Sequence, residues 1–184
     1  MSNLVALLRG INVSGQKTIR MLELKALFDS LGFQQSVTYL QSGNVVFESA
    51  DLDLAGLTHT IEQGIEQRFG FAVTVILRTQ ADFQRILTGN PFINPRGEDI
   101  EKLYVTFCAS PPTAQALQNL TVPTGSADEF QALGIEIYLF CPGGYGRTRL
   151  SNNFFESKLN ISATTRNWKT VQALAEISAA YPAI

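Results

Sequence analysis

The sequence contains very few of the residues that metal centres and acid–base sites most often use. Its 184 residues include one histidine, His59, and two cysteines, Cys108 and Cys141. A Ser-His-Asp triad or a histidine-based metal site would depend on His59, which falls on a predicted amphipathic helix far from the basic loops described below. The cysteines lack CxxC spacing and lie in apolar runs, so we expect buried, reduced thiols. These shortages predict a protein without a metal site or a cofactor.

Long hydrophobic runs are also missing. No apolar run approaches the ~20 residues of a membrane span. The first such run, residues 4–8, is too short for a signal peptide and is ended by Arg9. The composition, 45% hydrophobic and 16% charged, is typical of a globular protein. We therefore expect a cytoplasmic protein without membrane association, folded as one large domain or two small ones.

Acidic residues are absent from the first 22 positions, and this shortage reveals an uneven distribution of charge. Residues 1–22 contain three basic residues and no acid, while residues 137–175 contain five basic residues and one acid. These two segments are therefore strongly positive, although the whole chain has a formal charge of −2. If folding brings the two segments together, they form a site for an anion.

The hydrophobic pattern of the first half predicts a β-α-β-β-α-β unit, which is the order of a ferredoxin-like plait. Short apolar runs predict strands, and apolar residues at helical spacing predict helices that end at Gly32 and Gly70. Residues 41–44 join two β-rich runs and predict a hairpin. In chain order, the predicted elements are strand 4–8, helix 21–31, hairpin strands 37–40 and 45–47, helix 57–69 and strand 73–77.

The second half has a similar but less regular pattern. Thr79 and Asp82 resemble a capping box before a short helix, and residues 89–101 are the best candidate for a linker. The elements that follow predict the order β-α-β-β-α-α, without a clear fourth strand. We therefore predict an α+β fold with a ferredoxin-like plait in residues 1–78 and a second, related α/β plait with C-terminal helices in residues 79–184. A single larger mixed sheet is the alternative.

The loop after the first strand is one candidate site. Arg9 offers a planar, permanently charged group to phosphate or carboxylate, and Asn12 offers an amide that donates and accepts hydrogen bonds. Gly10 and Gly15 allow the backbone to approach a ligand. The spacing matches neither a Walker loop nor a dinucleotide fingerprint, so no nucleoside triphosphate or NAD site is implied. A tight turn whose arginine pairs with a carboxylate explains the pattern about as well.

The segment before the last predicted helix is a second candidate site. Thr164 or Thr165 is a natural N-cap, so Arg166 would lie in the first helical turn. Free backbone N–H groups beside a cation then predict an anion site, to which Lys158 could contribute. The alternative is that Arg166 packs on Trp168 or pairs with an acid elsewhere.

Two further segments give weaker signals. Residues 143–149 form a loop rich in glycine and arginine, in which Tyr145 could stack on a base while arginine contacts phosphate. A solvated loop explains that composition equally well. By themselves, Ser42, Gly43 and Asn44 are explained by a hairpin turn.

Three stretches of the sequence together resemble one known family. Residues 7–13 read LLRGINV, residues 39–47 read YLQSGNVVF, and residues 163–168 read ATTRNW. They resemble the motifs of an uncharacterised, mainly bacterial family with a domain of unknown function, and the match spans nearly the whole chain. The resemblance implies a small cytosolic α+β protein built from ferredoxin-like plaits, with no established activity.

The resemblance also indicates which polar residues belong to the motifs. These are Arg9, Gly10, Asn12, Gly15, Ser42, Gly43, Asn44, Lys158, Thr164, Thr165, Arg166, Asn167 and Thr170. The chain departs from the family pattern at Ser14, Gln16, Arg20 and Lys169. All of the motif residues except Thr170 are our candidates for ligand binding, and no catalytic residue is assigned.

Three functions stay open from the sequence. The first is binding of an anionic, phosphate-bearing small molecule or nucleotide at a site shared by both halves, with or without catalysis. The second is binding of RNA or single-stranded nucleic acid. The third is interaction with an acidic protein partner or a second copy of the chain. We rank the small anionic ligand first, and the sequence determines neither the reaction nor the oligomeric state.

Overall fold

The computed structural model describes residues 1–94 and 96–180 of the chain. It contains two four-stranded sheets in which the paired strands are antiparallel. The α+β class is confirmed, and the alternative of a single mixed sheet is wrong. The chain divides into two compact units, one formed by Met1–Gln84 with the residues from Ala173 onward and the other by Arg85–Gln172. The last helix begins in the second unit and ends in the first. The boundary that the sequence predicted, after residue 78, stays a prediction.

The first unit contains the strands and helices that the sequence predicted for the first half. The order of strands in its sheet is second, third, first and fourth along the chain. The elements are β1 (Ser2–Leu8), α1 (Met21–Ser30), β2 (Gln34–Thr38), β3 (Asn44–Ser49), α2 (Leu54–Phe69) and β4 (Val75–Thr79). A further helix, α3 (Gln80–Thr88), follows directly.

The core of the first unit lies between one face of this sheet and the helices α1 and α2. Alternate residues of β1 point toward the helices, as the period of two in a strand requires. The rings of Phe28, Phe33 and Phe47 form a cluster with centroid separations from 4.6 to 5.7 Å. Antiparallel pairing places Leu7 opposite Asn44. The loop after β1 and the turn before β3 therefore lie at the same end of the sheet.

Two local capping signals, at the start of α3 and at the end of α2, mark helix ends as the sequence predicted. The side chain of Asp82 accepts from the Thr79 backbone N–H at 2.9 Å, and the Thr79 hydroxyl oxygen accepts from the Asp82 N–H at 3.1 Å. This reciprocal pair confirms the predicted capping box. Gly70 ends α2 in the left-handed conformation, with φ of +80°, as a C-terminal glycine does.

The second unit repeats the strand order of the first. Its elements are β5 (Leu103–Cys108), α4 (Ala114–Gln118), β6 (Glu129–Leu133), β7 (Glu136–Phe140), α5 (Asn152–Leu159), β8 (Ala163–Asn167) and α6 (Trp168–Ala180). The sheet order is again second, third, first and fourth. Within the described part of the chain, no helix combines the length and the apolar character that crossing a membrane requires.

Strand β8 corrects the prediction that the second half lacks a fourth strand. It pairs antiparallel with β5, placing Thr106 opposite Thr165 and Val105 opposite Arg166. Its five residues are mostly polar, so they carry no alternation of apolar and polar positions to predict a strand. Pairing with the buried strand β5 forms the strand instead.

The two thiols are placed as the sequence predicted. Cys108 and Cys141 are both buried, and no disulfide joins them. Because β5 and β7 pair antiparallel with Leu103 opposite Phe140, the two cysteines lie at opposite ends of these strands. Burial raises the pKa of Cys141 to about 11, so its thiol stays protonated at neutral pH.

Candidate functional site

Asn12 connects the loop after β1 to the turn between β2 and β3. Its Oδ1 accepts from the Ile19 N–H at 2.9 Å, and its Nδ2 donates to the carbonyl oxygens of Ile19 at 3.0 Å and Gln41 at 2.8 Å. Only an amide side chain supplies an acceptor and two donors together. The structure therefore gives Asn12 a structural role, and its predicted role in ligand binding stays a prediction.

The backbone of this loop is unusual. Gly10, Asn12, Ser14, Gly15 and Lys17 all have positive φ, between +47° and +74°. Residues other than glycine seldom adopt this conformation, because the Cβ atom approaches the backbone. Three such residues in one short loop represent stored strain, which proteins concentrate at functional sites.

The motif Ser42-Gly43-Asn44 closes the turn between β2 and β3. Asn44 is fully buried, and its Nδ2 donates to the Tyr39 carbonyl at 2.7 Å and to the Ser42 hydroxyl at 3.1 Å. The Gly43 carbonyl accepts from the Leu8 N–H at 2.8 Å. The motif therefore joins the turn to β1, and the binding role predicted for these residues stays a prediction.

A cleft of about 470 Å³ lies beside the loop after β1. Small-molecule sites commonly have volumes in this range. The Arg9 backbone N–H donates to the Thr74 carbonyl at 2.9 Å, and the Lys17 Nζ donates to the Ala72 carbonyl at 2.7 Å. These bonds hold both basic residues against the segment that leads into β4. The lining residues are Arg9, Lys17, His59, Glu62, Gln63, Glu66, Ala72, Val73 and Thr74.

Sequence reasoning did not find the side of this cleft that α2 forms. His59, Glu62, Gln63 and Glu66 line the cleft together, and the prediction that His59 lies far from the basic loops is wrong. Their spacing of three, four and seven residues from His59 puts them on one face of the helix. That polar stripe was the available signal, since the opposite face, which includes Ile61, is buried. No group of three or more metal-ligating side chains is found in residues 1–94 and 96–180.

Arg166 lies in a different place from the one predicted. It belongs to strand β8, and α6 begins at Trp168, so the prediction that a threonine caps α6 and Arg166 enters its first turn is wrong. The Arg166 Nη1 donates to the Thr164 hydroxyl at 2.8 Å and to the Thr165 carbonyl at 3.0 Å. Burial lowers the pKa of Arg166 to about 10, so the side chain stays charged at neutral pH.

Thr165 points to the other face of β8, where it joins a polar cluster. Its hydroxyl donates to the Asn152 Oδ1 at 2.6 Å, so the Thr106 hydroxyl 2.8 Å away must donate to Thr165. The Tyr145 hydroxyl also contacts Asn152, at 3.4 Å, and its ring lies 5.1 Å from that of Tyr104. Tyr104 of the same unit therefore packs against the Tyr145 ring, which the sequence analysis suggested for base stacking.

The remaining basic residues of the second unit are mostly exposed. Lys158 lies in the last turn of α5, where a cation interacts favourably with the helix dipole. Lys169 pairs with Glu101 at 2.6 Å, and both side chains are more than 60% exposed. The Arg149 Nη1 donates to the Thr124 carbonyl at 3.2 Å. Lys158 thus interacts with the helix dipole, Lys169 with a carboxylate and Arg149 with a backbone carbonyl. The binding role predicted for Lys158 stays a prediction.

Asn167 is the N-cap of α6. Its Oδ1 accepts from the Thr170 N–H at 2.8 Å. We expect Asn167→Ala to lower the free energy of unfolding by about 1 kcal/mol, because a backbone N–H loses its acceptor. Asn167→Asp retains the acceptor and should preserve the stability. Urea denaturation of the three proteins measures both effects, and equal stability of the alanine variant and the wild type would contradict the cap.

Comparison with known proteins identifies a family. A family model described as a protein of unknown function (DUF1697) matches residues 1–138. None of the curated protein sequences matches this chain. A solved structure, that of the conserved bacterial protein SP0830 from Streptococcus pneumoniae, is similar with a TM-score of 0.74 and 22% identity over 96% of this chain and 98% of that chain. At this identity the likeness shows the fold alone. The family model covers three quarters of the chain, including the loop after β1 and the turn before β3, and the protein therefore belongs to the DUF1697 family of unknown function.

Proposed function

We propose that this protein binds a small anionic molecule, a phosphate-bearing compound or a nucleotide, in the cleft beside α2. The observation that supports this proposal is that Arg9 and Lys17, both from the acid-free N-terminal segment, line one cleft. The guanidinium of Arg9 suits the geometry of phosphate. The Lys17 ammonium has three N–H donors, of which the Ala72 carbonyl uses one. Two donors remain for a ligand.

The loop backbone holds Lys17 in position. The Asn12 N–H donates to the Lys17 carbonyl at 3.2 Å, while the other end of the residue is held at Ala72. A cation that is already positioned loses less conformational entropy when a ligand binds. The hydrogen bonds of Asn12 to Ile19 and Gln41 extend this support to the rest of the loop. Asn12 would thus act on the ligand through Lys17.

We propose further that each unit is a ferredoxin-like plait. The identical strand order of the two sheets supports this proposal. The candidate residues of the second unit, from Lys158 to Asn167, are proposed to contribute to binding on the basis of the family motifs alone. A site shared by both halves stays a prediction, as does the cytoplasmic location.

Replacing Lys17 with glutamine is expected to weaken the binding of inorganic phosphate and of adenosine monophosphate about five- to tenfold. The reason is the loss of a charge-assisted hydrogen bond, worth roughly 1–1.4 kcal/mol. Titration of the isotope-labelled protein, followed through its backbone amide resonances, gives the dissociation constants. The matched control is Arg20→Gln, which removes the same charge from the same segment at an exposed position outside the cleft lining.

The control separates a specific site from general attraction of anions. If Arg20→Gln weakens binding as much as Lys17→Gln, the cleft is not the site and the proposal is wrong. Absence of binding to the wild type has the same consequence. If small phosphates fail to bind while a single-stranded oligonucleotide binds with a steep salt dependence, the nucleic-acid function replaces this one.

A further inference from the structure

We infer that the ligand of this cleft is a small zwitterion, with an ammonium group a few atoms from its phosphate or carboxylate group. The inference rests on the proposed anion site and adds a second recognition element to it. Its basis is the distribution of charge over the two walls of the cleft. One wall carries two cations, and the other carries two carboxylates.

The acidic wall belongs to a single rigid element. Glu62 and Glu66 are one helical turn apart on α2, and the cleft lining includes both. Gln63 lies between them and provides a neutral group that can donate and accept. The basic wall comes from the loop after β1, through Arg9 and Lys17. A helix of 16 residues and a loop tied by several hydrogen bonds therefore present opposite charges to the same volume.

The carboxylates are not neutralised by the lysine across the cleft. The Lys17 ammonium donates to the Ala72 carbonyl, and no ion pair links it to a carboxylate among the described residues. The side chain of Glu66 has no hydrogen-bond or ion-pair partner within residues 1–94 and 96–180. Glu62 is fixed, because its Oε1 accepts from the Val75 N–H at 2.8 Å. The other carboxylate oxygen of Glu62, Oε2, has no partner in the described structure. It can therefore accept a hydrogen bond from a ligand.

A zwitterionic ligand suits this arrangement better than a purely anionic one. The charge of a purely anionic ligand would be attracted by Arg9 and Lys17 but repelled by Glu62 and Glu66, and unfavourable charge juxtaposition is a strong determinant of specificity. A ligand that carries an ammonium group satisfies both walls at once. The class that fits is therefore a phosphorylated amine or an amino acid, recognised at its two ends by opposite charges.

The test compares phosphoethanolamine with ethyl phosphate, which has a similar size and phosphate group but no amine. Isothermal titration calorimetry is carried out on the full chain and on two variants, Glu66→Gln and Glu23→Gln. Glu23 is an exposed acid of α1 outside the cleft lining, so its variant is the matched control for loss of charge. Circular dichroism checks that each variant keeps its fold, as expected for exposed positions.

We expect the wild type and Glu23→Gln to bind phosphoethanolamine about tenfold more tightly than ethyl phosphate. In Glu66→Gln this ratio should fall to about threefold or less, because an ammonium acceptor is lost, while ethyl phosphate should bind slightly better than before. Survival of the full tenfold preference in Glu66→Gln would overturn the assignment of the acidic wall. Equal binding of both compounds to the wild type would overturn the zwitterion inference but leave the anion site intact. Failure of both compounds to bind would overturn the anion site as well.

Discussion

Replacing Gly43 with alanine is expected to lower the free energy of unfolding by about 2–4 kcal/mol. Two effects add at this position. Gly43 has φ of +79°, a conformation that costs an L-amino acid roughly 1 kcal/mol. A Cβ atom would also lie 2.6 Å from Cδ1 of Ile11 and 2.8 Å from Cβ of Leu8, and overpacking of this kind typically costs about 1–3 kcal/mol. Both neighbours are fully or almost fully buried, which limits their ability to move.

The matched control for this prediction is Gly10→Ala. Gly10 also has positive φ, +69°, but no atom lies within 4 Å of a Cβ placed there. Its variant should therefore show the backbone cost alone, about 1 kcal/mol. Urea denaturation followed by far-ultraviolet circular dichroism measures both changes. Equal destabilisation of the two variants would mean that Ile11 and Leu8 yield without cost, contrary to the packing described.

Replacing Asn44 with aspartate is expected to cost about 3 kcal/mol at pH 7. The side chain is fully buried, and the amide nitrogen that donates to the Tyr39 carbonyl becomes an oxygen. A carboxylate there would face a carbonyl oxygen at about 2.7 Å, so it is left without its donor bond and is repelled. Asn153→Asp, at an exposed position near the start of α5, is the control and should change stability by less than about 0.5 kcal/mol.

The cost of Asn44→Asp should depend on pH in a definite direction. Burial and the adjacent carbonyl raise the pKa of the new carboxyl above that of the unfolded chain. A raised carboxyl pKa destabilises the folded state above the unfolded pKa, which is about 4. The difference from the wild type should therefore shrink as the pH falls toward 4, where the protonated carboxyl can donate to Tyr39 again. Denaturation of both proteins at pH 7 and pH 4.5 checks this, and a difference independent of pH would contradict it.

The variants Gly43→Ala and Asn44→Asp test whether the family motifs stabilise the fold. Gly43 and Asn44 hold the turn before β3 against β1, and Asn12 holds the loop after β1 against the same turn. The amide and glycine residues of the first two motifs therefore stabilise the loop that carries Arg9 and Lys17. Their contribution to ligand binding would be to position these two cations.

The sequence alone was sufficient for structure that depends on nearby residues. The hairpin between β2 and β3, the helix α2 and the capping box of Thr79 and Asp82 were all predicted, because periodicity and side-chain capping act within a few residues. The two buried thiols were predicted for the same kind of reason, since they lie in apolar runs. Strand β8 was missed because its five polar residues become a strand through pairing with β5, more than 50 residues earlier in the chain.

The residues of the candidate site likewise fall into two groups. Some are predicted by the sequence, and others are brought into the cleft only by the tertiary structure. The sequence by itself determined that basic residues concentrate after the first strand, and it predicted an anion site in the loop that Arg9 begins. Only the tertiary structure decided that α2 faces that loop and brings His59, Glu62 and Glu66 into the same cleft. The physical reason is that α2 and the loop after β1 are far apart in the sequence. The packing of α2 on the sheet, through Ile61 and Ile65, sets the direction of its polar face, and no local pattern specifies which loop that face meets.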